Sequence, residues 1–164
     1  MTTTAIQDEY SDDVSHCYGC GRLNQDGLHI RSFWDGAEAK AMFTPSPHHT
    51  AIPGYVYGGL LASLVDCHAT GTAAAAARQA RAAAAPAGPP PRFVTASLQV
   101  EDLRPTPRGL PLSRSARPTE IRGRKIVVEV ELTAEDQLCV RGRVVTVEMP
   151  EELLRPAVAS SPIS

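Results

Sequence analysis

One acid stands in a run of small and apolar residues, Gly58-Gly59-Leu60-Leu61-Ala62-Ser63-Leu64-Val65-Asp66. A carboxylate in such surroundings can serve as a general base or a nucleophile, because partial loss of water raises its pKa toward a useful range. Taken alone, Asp66 also reads as an ordinary exposed acid on a helix. Thr70 follows one turn later on the same face, placed either to hydrogen-bond that carboxylate or its water, or to bond back to its own helix. Gly58 and Gly59 let another group approach the backbone where the helix begins. First-turn amides lack intrahelical partners and sit at the positive end of the helix dipole, so they can polarise a carbonyl as an oxyanion hole does. The plainer reading is a glycine-rich N-terminal turn.

Spacing constrains how these groups could cooperate. Eight residues from Gly58 to Asp66 is about 12 Å of helix rise, too far for one substrate carbonyl to meet both within one chain. If both act on one substrate, they come from two subunits with antiparallel helices.

The elements that must hold these residues follow from periodicity. Strands are expected at 28–34 and 37–43, joined by the hairpin signal Asp35-Gly36. A loop rich in Pro and His, 44–55, precedes one long helix that starts near Tyr57 and runs into the alanine block, as far as Ala85 before Pro86. The proline connector 86–91 cannot continue it. Strands with Val and Ile enrichment follow at 93–103, 112–118, 125–133 and 138–149. This is an α+β layer, one helix on an antiparallel sheet. Projected at 100° per residue, the helix puts Tyr57, Leu60, Leu61, Leu64, Val65, His68 and Thr72 toward the sheet. The opposite face is Gly59, Ala62, Ser63, Asp66, Ala69, Thr70 and Ala73, small enough for a second helix to approach closely and so suggestive of a dimer.

Composition narrows the function classes. The 164 residues fit one domain, with residues 1–15 expected as a flexible leader, 16–150 as the domain and 151–164 as a flexible tail. Sixteen basic and 18 acidic residues leave a net charge of −2, which gives no electrostatic case for nucleic acid. Only Lys40 and Lys125 are lysines, so the cations are mostly arginine. No uncharged apolar run is long enough to span a membrane, because Asp66, Arg78 and Arg81 interrupt the alanine-rich segment. With no secretory leader before the four cysteines, a reducing, cytoplasmic setting with free thiols is expected.

Cys17-Tyr18-Gly19-Cys20-Gly21, Asn24 and Gly27-Leu28 lead into His49, Pro53-Gly54 and Tyr57-Gly58-Gly59 with Asp66, and then Arg104-Pro105-Thr106-Pro107-Arg108-Gly109. Over about residues 16–149 this pattern resembles the hotdog-fold acyl-CoA thioesterases of the phenylacetate-degradation type. The resemblance implies a long central helix wrapped by an antiparallel sheet, homodimers or homotetramers, and hydrolysis of an acyl- or aryl-CoA thioester between subunits. It puts the catalytic acid at Asp66, the carbonyl-polarising amide at Gly58, water-orienting hydroxyls at Thr95 and Thr70, and His49 near the site. Tyr57 and Gly59 are implied to border the substrate. Arg122, Arg124 and Lys125, flanking Gly123, are candidates for the CoA phosphates, with Arg104 and Arg108 next; the plain alternative is a solvated turn. The sequence departs from the pattern where Tyr57 replaces the usual His and Ala51 a frequent Asn or Gln.

Cys17-x-x-Cys20, with His16 and His29 nearby, invites a zinc reading. A structural zinc site wants four ligands at recognised spacings, and no second such pair completes it, while Cys67 and Cys139 look isolated. No metal and no cofactor are therefore expected. His68 is expected as a packed core histidine. Two further functions stay open, a non-catalytic acyl-CoA-binding protein and, ranked lower, a hydratase or dehydratase.

Overall fold

A computed structural model describes residues 3–84 and 88–154. Six strands, β1 (Phe33–Trp34), β2 (Ala39–Phe43), β3 (Phe93–Asp102), β4 (Leu112–Arg122), β5 (Lys125–Ala134) and β6 (Gln137–Glu148), form one antiparallel sheet. Their order is β1-β2-β4-β5-β6-β3. One long helix, α1 (Gly58–Arg81), lies on that sheet, and a four-residue helix α2 (Glu151–Leu154) follows β6. The expected α+β hotdog architecture is the one observed.

The 24 residues of α1 span about 36 Å. Leu60, Leu61, Leu64 and Val65 are buried beside Val128, Val130, Val140 and Val144 of the sheet. Helix and sheet touch most closely where Val65 faces Gly142, since a Cβ at Gly142 would stand 2.3 Å from Val65 Cγ1. That absent side chain lets α1 settle onto β6 and fixes the height of Asp66, the next residue. At the C-terminal end Arg78 pairs with Glu9, and Arg81 donates to Glu148 at 2.9 Å, cations where the helix dipole favours them.

Several expectations need correction. Residues 1–15 were expected outside the domain, yet Ala5, Ile6, Gln7 and Tyr10 are buried, two 3-10 turns (Ile6–Glu9, Asp12–Val14) form, and Ile6 N donates to Ser32 O. Gln7 donates to Ser32 Oγ, which bonds His68 Nδ1 at 2.8 Å, so the segment is anchored by polar groups that a hydropathy reading overlooks. The strand expected at 28–34 shrinks to Phe33–Trp34, because Leu28 and Ile30 donate instead to the Tyr18 and Gly19 carbonyls. Trp34 pairs with Ala39, so the hairpin turn is 35–38, held by the Asp35 carboxylate accepting from Ala37 and Glu38. β4 continues past Pro118 through a register shift. The helix stops at Arg81, Ala85 and Pro86 lie outside the described residues, and of the tail only 151–154 is described.

The helix projection also needs revision. Ala69, Thr70 and Ala73, expected on the face left for a second helix, are buried within the chain, while Tyr57, expected against the sheet, is exposed. The N-terminal segment covers part of α1: Gly71 lies under Gln7, and Cys67 under Gly19. Gly59, Ala62, Ser63 and Asp66 remain half-buried.

His68 is a fully buried core histidine, as expected. Burial, reinforced by the charge of buried Arg114, holds its pKa well below 6.5. The unfolded chain therefore takes up a proton near pH 6.5 that the native chain refuses. Stability from this group is whole above pH 6.5 and falls as pH drops, by up to about 1.4 kcal/mol per pH unit. Urea midpoints between pH 7.5 and 5.5 should show this loss, and His68→Gln should flatten it.

Candidate active site

Asp66 is half-buried on α1, and Thr95 Oγ1, from edge strand β3, donates directly to its Oδ1. Two elements make this contact. Gly142 lets α1 sit low on β6, and a register shift between Thr95 and Ser97 re-aims β3 at this point. Thr95 faces Thr146 across the ladder, so the hydroxyl is fixed by sheet register rather than by a mobile loop.

Thr70, the other hydroxyl expected beside Asp66, is buried and donates to Cys67 O at 3.2 Å. It bonds its own helix, and among the described contacts none joins it to Asp66. Ser63 likewise donates to Gly59 O. Thr95 is the hydroxyl that reaches the carboxylate.

At the start of α1, Tyr57 is the N-cap in an extended conformation and its N donates to His49 O at 3.0 Å. Gly58 and Gly59 begin the helix, and among the described residues neither amide has a backbone acceptor. The Tyr57 ring folds over Gly59 so closely that a Cβ there would meet it at 2.3 Å. Gly58 is exposed, and the atom nearest a Cβ there would be Asp102 Oδ2, 4.0 Å away. That carboxylate, from the end of β3, is a charge beside the helix start that sequence reading did not single out. Strand periodicity gives its position, but no local pattern relates it to Gly58.

His49 is packed between His48 and Phe43, with ring centroids at 4.3 and 5.9 Å, and its Nδ1 accepts from Ser46 N. Burial first, and the His48 charge second, lower its pKa. It is thus a neutral group that organises the loop leading into Gly58. Thr50 bonds Pro47 O, and exposed Ala51 is tied by its backbone to Tyr55. Neither supplies the side-chain amide missing at residue 51.

Arg122, Gly123, Arg124 and Lys125 form the β4–β5 turn, where Gly123 has φ +56°. Arg122 and Lys125 both pair with Glu120, at 3.1 and 3.2 Å, while Arg124 donates to Glu148 O. These are solvent-exposed pairs of small energetic weight. Lys125 pairs with Val147 and Thr95 with Thr146, so this turn lies at the Thr95 end of the sheet. Arg104, bound to Gln137, and Arg108, whose N donates to Gly54 O, lie at the opposite, Gly58 end.

Cys67, next to Asp66, is not isolated. Its sulfur lies 3.9 Å from Cys17 Sγ, and the Cys17, Cys20 and Cys67 sulfurs all fall within 4.8 Å of one another. Hydrogen bonding from Cys20 and Cys67, with the Cys20 and Gly19 amides, holds the Cys17 thiol far below its ordinary range, while the bond to Cys17, with burial, pushes Cys20 up to about 11. Sequence reading missed this cluster because fifty residues separate Cys17 from Cys67.

A cleft of about 740 Å³ lies between Trp34, Ala75, Arg78, Gln79 and Pro89, and Asp66 is not among its lining residues. No described helix is long and apolar enough to cross a membrane.

The chain is similar to several known proteins. The acyl-coenzyme A thioesterase THEM4 of Xenopus laevis is 26% identical over 118 residues, 70% of this chain and 47% of that protein. The chain thus spans about half the length of the curated relative it matches. A thioesterase superfamily protein from Shewanella loihica has a solved structure with 45% identity and a TM-score of 0.65, covering 86% of this chain and all of that one. The Escherichia coli PaaI protein of the phenylacetic acid degradation operon shares the fold at 18% identity and a TM-score of 0.59, over 75% of this chain and 81% of its own. The sequence pattern of the thioesterase superfamily matches residues 53–141, which run from the loop before Gly58 through α1 into β6. That span takes in Gly58, Asp66 and Thr95, and by it the chain belongs to the thioesterase superfamily.

Proposed function

We propose that this chain is an acyl-CoA thioesterase that hydrolyses an acyl- or aryl-CoA to the free acid and CoA, at sites shared by two subunits. The observation that carries this reading is the Asp66–Thr95 contact, on a stretch of α1 that its own chain leaves partly uncovered. Beside it runs β3, a ten-residue edge strand with Val94 and Leu98 exposed. Such an edge is a template for pairing with another chain. A second copy paired there would bring its own helix start toward Asp66, which one chain cannot do.

In this reading Asp66 takes a proton from water as that water attacks the thioester carbonyl. The partner subunit's Gly58 amide stabilises the oxyanion, and collapse of the tetrahedral intermediate expels the CoA thiolate, which takes up a proton. As a nucleophile, Asp66 would instead form an anhydride that water then opens. Thr95 positions the carboxylate in either route. Arg122, Arg124 and Lys125 exchange their exposed partners for CoA phosphates, while Tyr57 and Gly59 border the acyl group.

The test is thiol release from CoA thioesters with short, medium, long and aryl acyl groups, followed with a thiol reagent. Sustained turnover on at least one class is expected. Tight acyl-CoA binding without release across the panel would favour a non-catalytic binding protein, the second reading, which Tyr57 and Ala51 support by departing from the family pattern. Thr95→Ala should lower kcat about tenfold or more by freeing the Asp66 carboxylate, and Thr95→Ser should restore most of it. Equal rates in Thr95→Ala and wild type would remove Thr95 from the site.

A further inference from the structure

We propose that Cys17, Cys20 and Cys67 form a binding site for a thiophilic divalent cation, zinc in the first instance, with solvent as the fourth ligand. The argument starts from distance. Tetrahedral coordination with zinc–sulfur bonds of 2.3 Å sets sulfurs about 3.8 Å apart. Cys17 and Cys67 stand at 3.9 Å, and all three sulfurs lie within 4.8 Å of one another. A disulfide needs two sulfurs, whereas here three converge.

The loop that carries two of them is built to hold them. Gly21 N donates to Cys17 O at 2.7 Å, closing the Cys-x-x-Cys turn. Leu28 and Ile30 lace the loop's other side by donating to Tyr18 and Gly19. Gly19 is also the point of closest approach to α1, since a Cβ there would stand 2.3 Å from Cys67 Sγ. Only glycine at this position lets the turn reach the helix thiol.

Charge supplies an independent argument. Arg92 donates to Cys20 Sγ at 3.8 Å and lies 4.9 Å over the Tyr10 ring. Its Nη1 is buried without a partner, and no carboxylate pairs with it among the described residues. A shielded guanidinium with no carboxylate partner favours negative charge on the sulfurs beside it. Three thiols that give up three protons to one divalent cation leave a net charge of −1, which Arg92 neutralises. Cys17 is only half-buried, so the cluster has a side open to the solvent ligand and to entry of the ion. Cys20 and Cys67 are buried. The bound ion would staple the N-terminal segment to α1 at the residue next to Asp66.

The test uses the full chain, reduced and stripped with a chelator, then titrated with cobalt(II). Thiolate-to-cobalt charge-transfer absorption should saturate at one equivalent per chain and be displaced by zinc, and zinc should raise Tm by several degrees. Cys17→Ser should lose the band, as should Gly19→Ala, which keeps every thiol but blocks the approach of the loop. Cys139→Ser should keep it. Cys17→Ser alters a half-exposed side chain, and its far-ultraviolet circular dichroism checks that it folds. The proposal is overturned if wild type shows no thiolate–cobalt band, or if the band survives in Cys17→Ser. Formation of a disulfide among these cysteines under peroxide, in protein that binds no metal when reduced, would also overturn it in favour of a redox pair.

Discussion

Asp66→Asn should lower kcat for thioester hydrolysis by about a hundredfold to ten-thousandfold, the range lost with a general base, while KM moves little. The change preserves shape. Asparagine still offers Thr95 an oxygen acceptor, so the contact between α1 and β3 survives and Tm should shift by no more than a few degrees. Lost turnover with retained stability would isolate chemistry from folding. Single-turnover hydrolysis in heavy-oxygen water then separates the two roles of the carboxylate. A base sends the label directly into the product acid, whereas a nucleophile places it first in Asp66. Residual kcat above a tenth of wild type would remove Asp66 from the reaction.

The second large effect is expected from Gly58→Pro. Gly58 is the first helical residue, where proline is tolerated, and Tyr57 before it is already extended at ψ 128°, as a residue preceding proline prefers. The substitution therefore deletes one amide hydrogen and leaves the helix standing. If that amide holds the oxyanion, kcat should fall about a hundredfold to a thousandfold. Mixing then tests whether a site is shared. In a heterodimer of Asp66→Asn and Gly58→Pro chains, one site combines intact Gly58 from the first chain with intact Asp66 from the second. Its partner site carries both lesions. Co-expressed variants with different tags, purified as the mixed species, should recover about half the wild-type activity per dimer. No recovery would mean that Gly58 and Asp66 do not act together across subunits.

The spacing of the candidate groups was legible where it depends on neighbours along the chain. Gly58 and Asp66 share one helix, so their spacing is set by helix rise and their separation by arithmetic. The choice between Thr70 and Thr95 as the hydroxyl partner was not legible in that way. Both are threonines that can reach a carboxylate, and helical spacing favours Thr70. The structure brings Thr95 to the carboxylate, because Thr70 is buried with its hydroxyl turned back to Cys67 O, while Thr95 on β3, beside a register shift, donates to Asp66. Sheet register is a non-local quantity.

Covering of the helix shows the same limit. Projection separates a small-residue face from a large one but cannot say what occupies the space above it. Gln7 packs on Gly71 of α1, and the leader was overlooked because Gln7, with its bonds to Ser32, anchors it through polar groups as much as apolar ones. The stretch from Gly58 to Asp66 keeps several residues partly uncovered.

The sequence by itself determined one helix on an antiparallel sheet, the family pattern from Cys17 to Gly109, and the positions of the helix amide and the acid. These follow from residue types repeating at 3.6 or 2.0 positions and from fixed local spacings. Only the tertiary structure decided which threonine meets Asp66, which stretch of α1 stays partly uncovered, and that Cys67 joins Cys17 and Cys20. Each depends on segments tens of residues apart, brought together by the closing of the sheet against the helix, and no local periodicity records such a meeting.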